Sequence, residues 1–410
     1  MGSLSHFLRE QKHAFLQSLS APTGLANSNW TVVMGNEAGD LDTQASSLAY
    51  SYLSTRLLHS PTIALSRTAR PDLALRPENT LAFSRASVSP DDLLCIDDLP
   101  SPPPAFPRIA LVDHNRLSSE FSGEVVGVID HHSDEGFYPS ASPRLIRTPE
   151  EAGSCTSLVT EHFRALWQAH LDDVPKEVAF LLLCTILIDT GGLKPDGKAQ
   201  AVDRAAAAFL MPLAGYPSPA GLTANSEGTV PPEVEQLFTE LITKKFDVAG
   251  LSTRDLLRRD YKQYSISPVE GGKGGKVELG LCTVPLGLGP WAAKDPQIWT
   301  GVQEYIAERG LDVCGILTTY RNEKGKHRRQ VVLCLRERAD ADAALGRMLR
   351  EGLEGSQELR LVREEGKKKF GLGTGEEEGV CVWKQGNVQA TRKQVAPLVS
   401  KSINTLRKAL

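Results

Sequence analysis

The chain has 410 residues, 41% hydrophobic and 23% charged, so it is long enough for two or three globular domains with buried cores. Its formal charge of −4 is uneven, because residues 1–250 carry −12 and residues 251–410 carry +8. Seven scattered cysteines without a C-x-x-C pair argue against a disulfide framework or a structural zinc site. With no signal peptide and no membrane-length apolar run, we expect a cytoplasmic protein without a membrane anchor.

The first half of the chain alternates between helix and strand patterns. Residues 4–19 have the periodicity of an amphipathic helix, and residues 30–35 predict a strand followed by a helix that Thr43 could cap. Further strands are predicted over residues 62–65, 93–96, 109–112 and 125–129. Helices are predicted from Ser154 onward and over residues 178–188, the second apolar almost all round. This alternation predicts a mostly parallel sheet covered on both faces.

A segment rich in Pro, Gly, Ser and Ala, residues 213–232, predicts a domain boundary. The predicted division is a first domain over 1–215, a linker over 216–232 and a second domain over 233–410. Strands are predicted in the second domain over residues 277–284, 313–319, 331–335 and 380–383. Two segments that concentrate Lys and Arg among glycines predict exposed hairpins or loops, over 321–330 and 363–370. The first includes Lys324, Lys326, His327, Arg328 and Arg329, and the second Lys367, Lys368 and Lys369.

Acidic and imidazole side chains stand where several predicted elements end. They are Asp40, Asp42, Asp113, Asp130, His131, His132 and Asp189. Because the carboxyl ends of parallel strands meet at one edge of a sheet, we expect these side chains to converge in a cleft. Carboxylates gathered in one pocket repel each other unless cations neutralise them. Carboxylate oxygens with a minority of imidazole suit Mn²⁺ or Mg²⁺.

Each of these residues has an ordinary explanation when taken alone. Asp40 and Asp42 are typical of helix N-terminal capping, Asp113 of a turn and Asp189 of a helix end, and the two histidines could simply end a strand. Their joint occurrence in order, each at an element boundary, favours a metal site. Two ions roughly 3.5 to 4 Å apart, sharing a carboxylate, would activate water for displacement at phosphorus. The leading chemistry is therefore phosphoryl transfer to water.

The polar motifs resemble the ordered motifs of the DHH phosphoesterase superfamily. They are Asp40-Leu41-Asp42, Asp113-His114-Asn115, Asp130-His131-His132 and Asp189-Thr190. Residues 391–397, Thr-Arg-Lys-Gln-Val-Ala-Pro, resemble the branch with a DHHA2 C-terminal domain, which contains manganese-dependent inorganic pyrophosphatases, fungal cytosolic exopolyphosphatases and prune proteins. The resemblance implies an N-terminal α/β domain with a doubly wound, mostly parallel sheet. It also implies a smaller α/β DHHA2 domain, with the active site in the cleft between the two.

The resemblance also implies roles for individual residues. Two divalent ions, Mn²⁺ or Mg²⁺ with Co²⁺ as a further candidate, would be held by Asp40, Asp42, Asp113, His131 and Asp189. Asp113 would bridge the ions, and Asp130 would hold the tautomer of His131. His132 would contact the substrate phosphate and protonate the leaving group, so the expected catalytic residues are Asp113, Asp130 and His132. The expected substrate-binding residues are His132, Ser154, Lys262, Arg392 and Lys393.

Asn36 stands where the pyrophosphatases of this family carry His. An amide oxygen is a poorer ligand for Mn²⁺ than imidazole, so the substitution predicts a looser hold on one metal and favours the exopolyphosphatase and prune branches. We therefore predict a metal-dependent exopolyphosphatase that acts on inorganic polyphosphate. The alternatives are a family II inorganic pyrophosphatase and a prune-like phosphodiesterase or interaction protein. Nucleic acid is not expected as the main substrate, and the sequence leaves the oligomeric state open.

Overall fold

A computed structural model describes residues 3–22, 24–25, 28–195, 197–267, 276–336, 342–364, 370–372 and 379–409, without the side chains of 342–344 and 405–409. The chain forms two compact units, Met1–Lys245 and Phe246–Leu410. The predicted basic residues Lys367, Lys368 and Lys369 lie outside the described residues. All seven cysteines are free and buried. Within the described ranges, no helix combines the length and the apolar character that crossing a membrane requires.

The first unit is built on one parallel sheet of six strands. They are β1 (Thr31–Met34), β2 (Thr62–Ser66), β3 (Leu94–Cys95), β4 (Phe106–Val112), β5 (Gly123–Asp130) and β6 (Arg144–Ile146). Their order in the sheet is β3-β2-β1-β4-β5-β6, with every neighbouring pair parallel. The predicted parallel α/β sheet is therefore confirmed. Strand order reverses between β1 and β4, and ligands of such sheets bind beyond the carboxyl ends of the strands at this reversal.

Helices cover this sheet mainly on one face. The helices of the first unit are α1 (Leu4–Ser20), α2 (Leu41–Leu57), α3 (Pro77–Arg85), α4 (Cys155–Ala169), α5 (Lys176–Thr190), α6 (Ala201–Leu213) and α7 (Pro232–Lys245). Because side chains alternate along a strand, Val33 packs into the core formed with α2, α4 and α5, whereas Val32 and Met34 face the opposite layer. That second layer consists of the end of α1, including Phe15, and loop residues such as Phe121.

Helix α2 begins differently from the prediction. Its N-cap is Asp40, whose Oδ1 accepts a hydrogen bond from the backbone N–H of Thr43 at 3.0 Å. The prediction that Thr43 caps this helix was therefore wrong. Asp40 precedes the first turn, so its carboxylate can accept from the unpaired N–H groups there. Thr43 already lies within that turn and cannot cap it.

The two units divide later than the sequence suggested. Helix α7 lies within the expected second domain, yet Val234, Leu237 and Leu241 pack into the core of the first unit. The apolar stripe of α7 lies against α3 and α5, so burial of this stripe joins the helix to the first unit. The structural division consequently follows Lys245 rather than the proline-rich segment.

The second unit has a mixed sheet of six strands. They are β7 (Tyr261–Ile266), β8 (Val277–Val284), β9 (Val313–Arg321), β10 (His327–Leu335), β11 (Leu361–Arg363) and β12 (Val380–Gln385). Their order is β11-β12-β10-β9-β8-β7, and only β8 and β9 are parallel neighbours. The helices of this unit are α8 (Thr253–Arg258), α9 (Leu288–Lys294), α10 (Ile298–Arg309), α11 (Asp342–Glu354) and α12 (Arg392–Ala409).

Two cores flank this second sheet, and the basic segment 321–330 closes one of its hairpins. Helices α8, α9 and α10 cover one face, and the described parts of α11 and α12 cover the other. The strands β9 and β10 pair antiparallel from His327 opposite Arg321 to Leu335 opposite Val313, so segment 321–330 adopts the hairpin that was one of its two predicted forms. Strand β7 escaped prediction because its sequence, Tyr-Lys-Gln-Tyr-Ser-Ile, carries polar residues at most positions.

Candidate metal centre

The ends of β1 and β4 bring Asn36 and Asp113 into direct contact. Asp113 is buried and has a φ of 60°, a left-handed conformation that Asp tolerates better than most residues. Its Oδ2 accepts hydrogen bonds from Asn36 Nδ2 at 2.6 Å and Thr43 Oγ1 at 2.7 Å. Its Oδ1 lies 3.2 Å from Nε2 of His131. One oxygen of Asp113 is thus anchored by the protein while the other faces an imidazole.

Asn36 is oriented by the same contact. Its Nδ2 also donates to the backbone carbonyl of Asp113 at 3.0 Å, and its Oδ1 accepts from the N–H of Ala38 at 2.9 Å. A carbonyl and a carboxylate accept hydrogen bonds, so the amide nitrogen must face Asp113. Asn36 therefore supports the carboxylate of Asp113, and its oxygen is engaged within the loop instead of facing a ligand position as we had expected.

Asp42 is held by the N-terminus of helix α4. Its Oδ1 accepts from the backbone N–H of Thr156 at 2.9 Å and from Ser154 Oγ at 3.0 Å, and its Oδ2 accepts from the N–H of Cys155 at 2.8 Å. These donors favour a negative charge. Burial, followed by the charges of Asp189 and Asp113, nevertheless raises the pKa of Asp42 well above its usual value. The site thus concentrates more negative charge than the helix terminus compensates.

Asp189 joins this acidic group from the end of α5. The helix stops at Gly191, which adopts a φ of 75°, a left-handed conformation that glycine permits without strain. In the described part of the chain, Asp189 Oδ2 is buried and has no hydrogen-bond partner. Burial is the main factor that raises the pKa of Asp189 to about 7, and the charges of Asp40 and Asp113 add to it although Lys245 opposes them. A buried carboxylate oxygen without a hydrogen-bond donor is a suitable ligand for a cation.

The two histidines have different partners. Nε2 of His131 lies 3.2 Å from Asp113 Oδ1 and 3.5 Å from Asp42 Oδ2. Nδ1 of His132 lies 2.7 Å from Asp130 Oδ1. The prediction that Asp130 orients His131 was therefore wrong. The strand β5 ends at Asp130 and the chain bends at His131 and His132, which brings the ring of His132 to the carboxylate of Asp130.

Asp130 is itself fixed by Asn115, which the sequence analysis placed in a family motif without giving it a role. Asn115 Nδ2 donates to Asp130 Oδ2 at 2.6 Å and to the carbonyl of Ser133 at 3.0 Å. Burial raises the pKa of Asp130, but the adjacent His132 outweighs this effect and holds that pKa below its usual value. The position of Asn115 directly after the Asp-His pair that follows β4 was the available signal.

These side chains fit a divalent cation. Ligand atoms of Asp113, His131 and His132 all lie within 4.8 Å of one another. Asp42 approaches His131, and burial together with neighbouring carboxylates raises the pKa of both Asp42 and Asp189, an effect that a cation would relieve. The donors are carboxylates and imidazoles, the set that Mn²⁺, Mg²⁺ and similar ions accept.

Asp40 and Ser154 occupy supporting positions in the structure. Asp40 caps α2, so the ordinary explanation for this residue holds whether or not it also binds a metal. Ser154 is fully buried, and its hydroxyl donates to Asp42 and contacts Thr156 Oγ1 at 2.7 Å. The roles of Asp40 as a ligand and Ser154 as a substrate contact stay predictions.

The predicted phosphate-binding residues belong to the second unit. Lys262 lies on β7, and Arg392 and Lys393 open α12. Arg392 Nη2 lies 2.8 Å from Asp260 Oδ1, and its Nη1 donates to the backbone carbonyl of Asp260 at 3.1 Å. This ion pair holds the guanidinium of Arg392 in place at the start of the helix. Binding of phosphate by these three residues stays a prediction.

The parallel six-stranded sheet and the acidic side chains beyond its strand ends indicate a class of protein, and comparison with known sequences identifies the family. Residues 30–186 match the DHH family, N-terminal domain, and residues 239–402 match the DHHA2 domain. A protein of Schizosaccharomyces pombe named "Putative exopolyphosphatase" is 31% identical over 96% of this chain and 96% of its own length. The chain therefore belongs to the DHH family, in the branch with a DHHA2 domain, and the predicted resemblance is confirmed.

Two further relatives extend this assignment. "Exopolyphosphatase PRUNE1" of Mus musculus is 25% identical, over 91% of this chain and 75% of the relative. The structure titled "Crystal structure of Methanococcus jannaschii putative family II inorganic pyrophosphatase" covers 91% of this chain and 99% of its own, with a TM-score of 0.57 and 19% sequence identity. At this identity the structural likeness establishes a shared fold.

Proposed function

We propose that the protein is a metal-dependent exopolyphosphatase, which hydrolyses the terminal phosphoanhydride bond of inorganic polyphosphate. The observation that carries this proposal is the convergence of Asp42, Asp113, His131 and His132 at the strand ends of the first unit. The near full-length similarity to a protein named as an exopolyphosphatase supports the choice of polyphosphate as substrate.

We further propose that two divalent cations, Mn²⁺ or Mg²⁺, are held by Asp40, Asp42, Asp113, His131 and Asp189. When bound, such ions lower the pKa of a water molecule and stabilise the charge that develops on the phosphoryl oxygens. Asn36 and Thr43 keep the Asp113 carboxylate fixed through their hydrogen bonds to Oδ2. The N-terminus of α4 does the same for Asp42.

His132 is the proposed general acid. Its Nδ1 is tied to Asp130, so the ring keeps one orientation and its Nε2 is the atom that can give a proton to the departing phosphate. Lys262, Arg392 and Lys393 are proposed to bind the phosphate chain. Arginine can bind a phosphate through two parallel hydrogen bonds, whereas lysine contributes a point charge.

A substrate panel tests the proposal. Phosphate release is measured from long-chain polyphosphate, tripolyphosphate and pyrophosphate, with Mn²⁺, Mg²⁺ or Co²⁺ added to chelator-treated protein. We expect kcat/KM to be highest for polyphosphate and activity to vanish with the chelator. A preference for pyrophosphate would support the pyrophosphatase alternative, and no hydrolysis of any substrate would leave the prune-like interaction protein. The same assay on a cell fraction would test the predicted cytoplasmic location.

A further inference from the structure

Two consecutive arginines of the basic hairpin have opposite surroundings. Strand β10 places Val331 and Leu333 in the core beneath α11 and α12, whereas Val332 lies in the core on the other face. Because side chains alternate along a strand, Arg329 lies on the α12 face and Arg328 on the opposite face. The sequence alone had grouped both residues in one charged loop.

Arg329 lies beside the loop that leads into α12. Its Nε donates to the backbone carbonyl of Val388 at 2.8 Å, and the helix begins shortly afterwards at Arg392. Across the part of the chain that the structure describes, the terminal nitrogens of Arg329 have neither a hydrogen bond nor an ion pair. Burial lowers the pKa of Arg329 to about 10, with Asp260 partly opposing this, so the side chain is charged at neutral pH.

Asp260 connects Arg329 to the predicted phosphate-binding residues. Its carboxylate pairs with Arg392 at 2.8 Å and also interacts electrostatically with Arg329. Two guanidinium groups therefore lie close to the one carboxylate of Asp260. Thr319 lies opposite Arg329 in the β9–β10 ladder, and its hydroxyl contacts His327 Nε2 at 2.8 Å.

We propose that Arg329 forms a further phosphate-binding site next to Arg392, occupied by a phosphate group of a chain of three or more. This inference rests on the proposed function, because it takes an inorganic phosphate chain as the ligand. A guanidinium has five donors, and among the described residues only the Nε of Arg329 has a hydrogen-bond acceptor. The remaining four donors match two oxygens of a phosphate in a bidentate arrangement.

The alternative is a purely structural arginine that fixes the loop at Val388. The two roles predict different effects of a substitution on thermal stability and on affinity for a phosphate chain. A structural role predicts lower thermal stability for Arg329→Gln with unchanged affinity for a phosphate chain. A binding role predicts lower affinity in a protein that is still folded. Arg328→Gln is the matched control, since it removes the same charge from the neighbouring position on the opposite face.

The experiment is calorimetric titration of tripolyphosphate into the full-length protein in a chelator, which prevents metal-dependent turnover. We expect Arg329→Gln to weaken binding about tenfold, or about 1.4 kcal/mol, Arg329→Lys to weaken it less, and Arg328→Gln to stay within about twofold of the unchanged protein. Thermal unfolding verifies that each variant is folded, and if Arg329→Gln is not, Arg329→Lys decides by whether it weakens binding.

Two results would overturn the proposal: Arg329→Gln binding tripolyphosphate as tightly as the unchanged protein, or Arg328→Gln losing as much affinity as Arg329→Gln. The outcome is distinguishable from failure of the proposed function. Loss of binding in Arg329→Gln, in a protein that hydrolyses no phosphoanhydride, supports the phosphate site and refutes the exopolyphosphatase. Hydrolysis of polyphosphate with unaltered binding in Arg329→Gln refutes this site alone.

Discussion

The acidic group of the first unit and the arginine site of the second unit differ in how their charges are balanced. In the first, burial raises the pKa of Asp42 and of Asp189, and the charge of Asp113 adds to both shifts, although Lys245 partly opposes the shift of Asp189. In the second, Arg392 is paired with Asp260 and held by backbone carbonyls. The clustered carboxylates therefore lower the stability of the metal-free first unit, whereas the guanidinium of Arg392, which we propose binds phosphate, is kept in position by its carboxylate partner.

The largest expected effect concerns Asp113. We predict that Asp113→Asn lowers kcat by several orders of magnitude, because a neutral amide cannot replace the proposed bridging carboxylate. Asn tolerates the left-handed conformation of this position, so the fold should persist. Phosphate release and circular dichroism measure the two effects, with Asp172→Asn at an exposed position as the control. Near-normal activity of Asp113→Asn would refute the two-metal assignment.

Asp130 tests the support behind the acidic centre. Asp130→Asn should reduce kcat by about 10- to 100-fold, since partners that orient a functional imidazole usually contribute that much. The amide can no longer hold the His132 ring as a charged acceptor. The pH profile of kcat should also shift, because the variant removes a carboxyl group whose pKa is held below its usual value by His132. A variant with unchanged kcat and pH profile would remove Asp130 from the mechanism.

Arg392 tests the basic end of the second unit. Arg392→Ala should raise KM for polyphosphate about tenfold with a smaller effect on kcat, as expected when an interaction shared by ground and transition states is lost. Steady-state kinetics on polyphosphate gives both constants. An unaltered KM would exclude Arg392 from substrate binding and leave it as a partner of Asp260 only.

Asp40 separates capping from metal binding. Asn caps helices as well as Asp does, whereas Ala costs about 1 kcal/mol, or about 2 to 4 °C in Tm for a unit of this size. We therefore expect Asp40→Asn to keep the Tm of the unchanged protein and Asp40→Ala to lower it. Both variants should lose activity if Asp40 binds a metal. Full activity in Asp40→Asn would show that Asp40 is a cap alone.

The smallest effect is on the stability of the metal-free protein. The pKa of Asp189 is raised to about 7 in the folded protein, above its value in the unfolded chain. Between about pH 4 and pH 7 the folded state therefore binds more protons than the unfolded state, and the free energy of unfolding should fall as pH rises through this range. Asp189→Asn should weaken this dependence and raise Tm at pH 8 by a few degrees, at about 2 to 4 °C per kcal/mol. Thermal unfolding in a chelator at pH 5 and pH 8 measures it. A variant with the full pH dependence would contradict this prediction.

Much of the first unit was predictable because its signals are local. Short β-branched runs that end in Asp or His identify strands and their polar ends, and parallel topology then requires those ends to meet. The pairing of Asp130 with His132 was less accessible, because β5 ends at Asp130 and the chain bends at His131 and His132, so no strand period relates the two side chains. The family resemblance had pointed to His131 instead.

By itself, the sequence determined the α/β class, the chain positions of the acidic centre and the basic character of the second half, because these depend on local periodicity and on residue type. Only the tertiary structure decided which unit contains α7, which residue pairs with Arg392, and that Arg329 and Arg328 lie on opposite faces. Each of these depends on a packing partner distant in the chain. Local periodicity has no information about such partners, because burial and charge pairing are settled only when the elements come together.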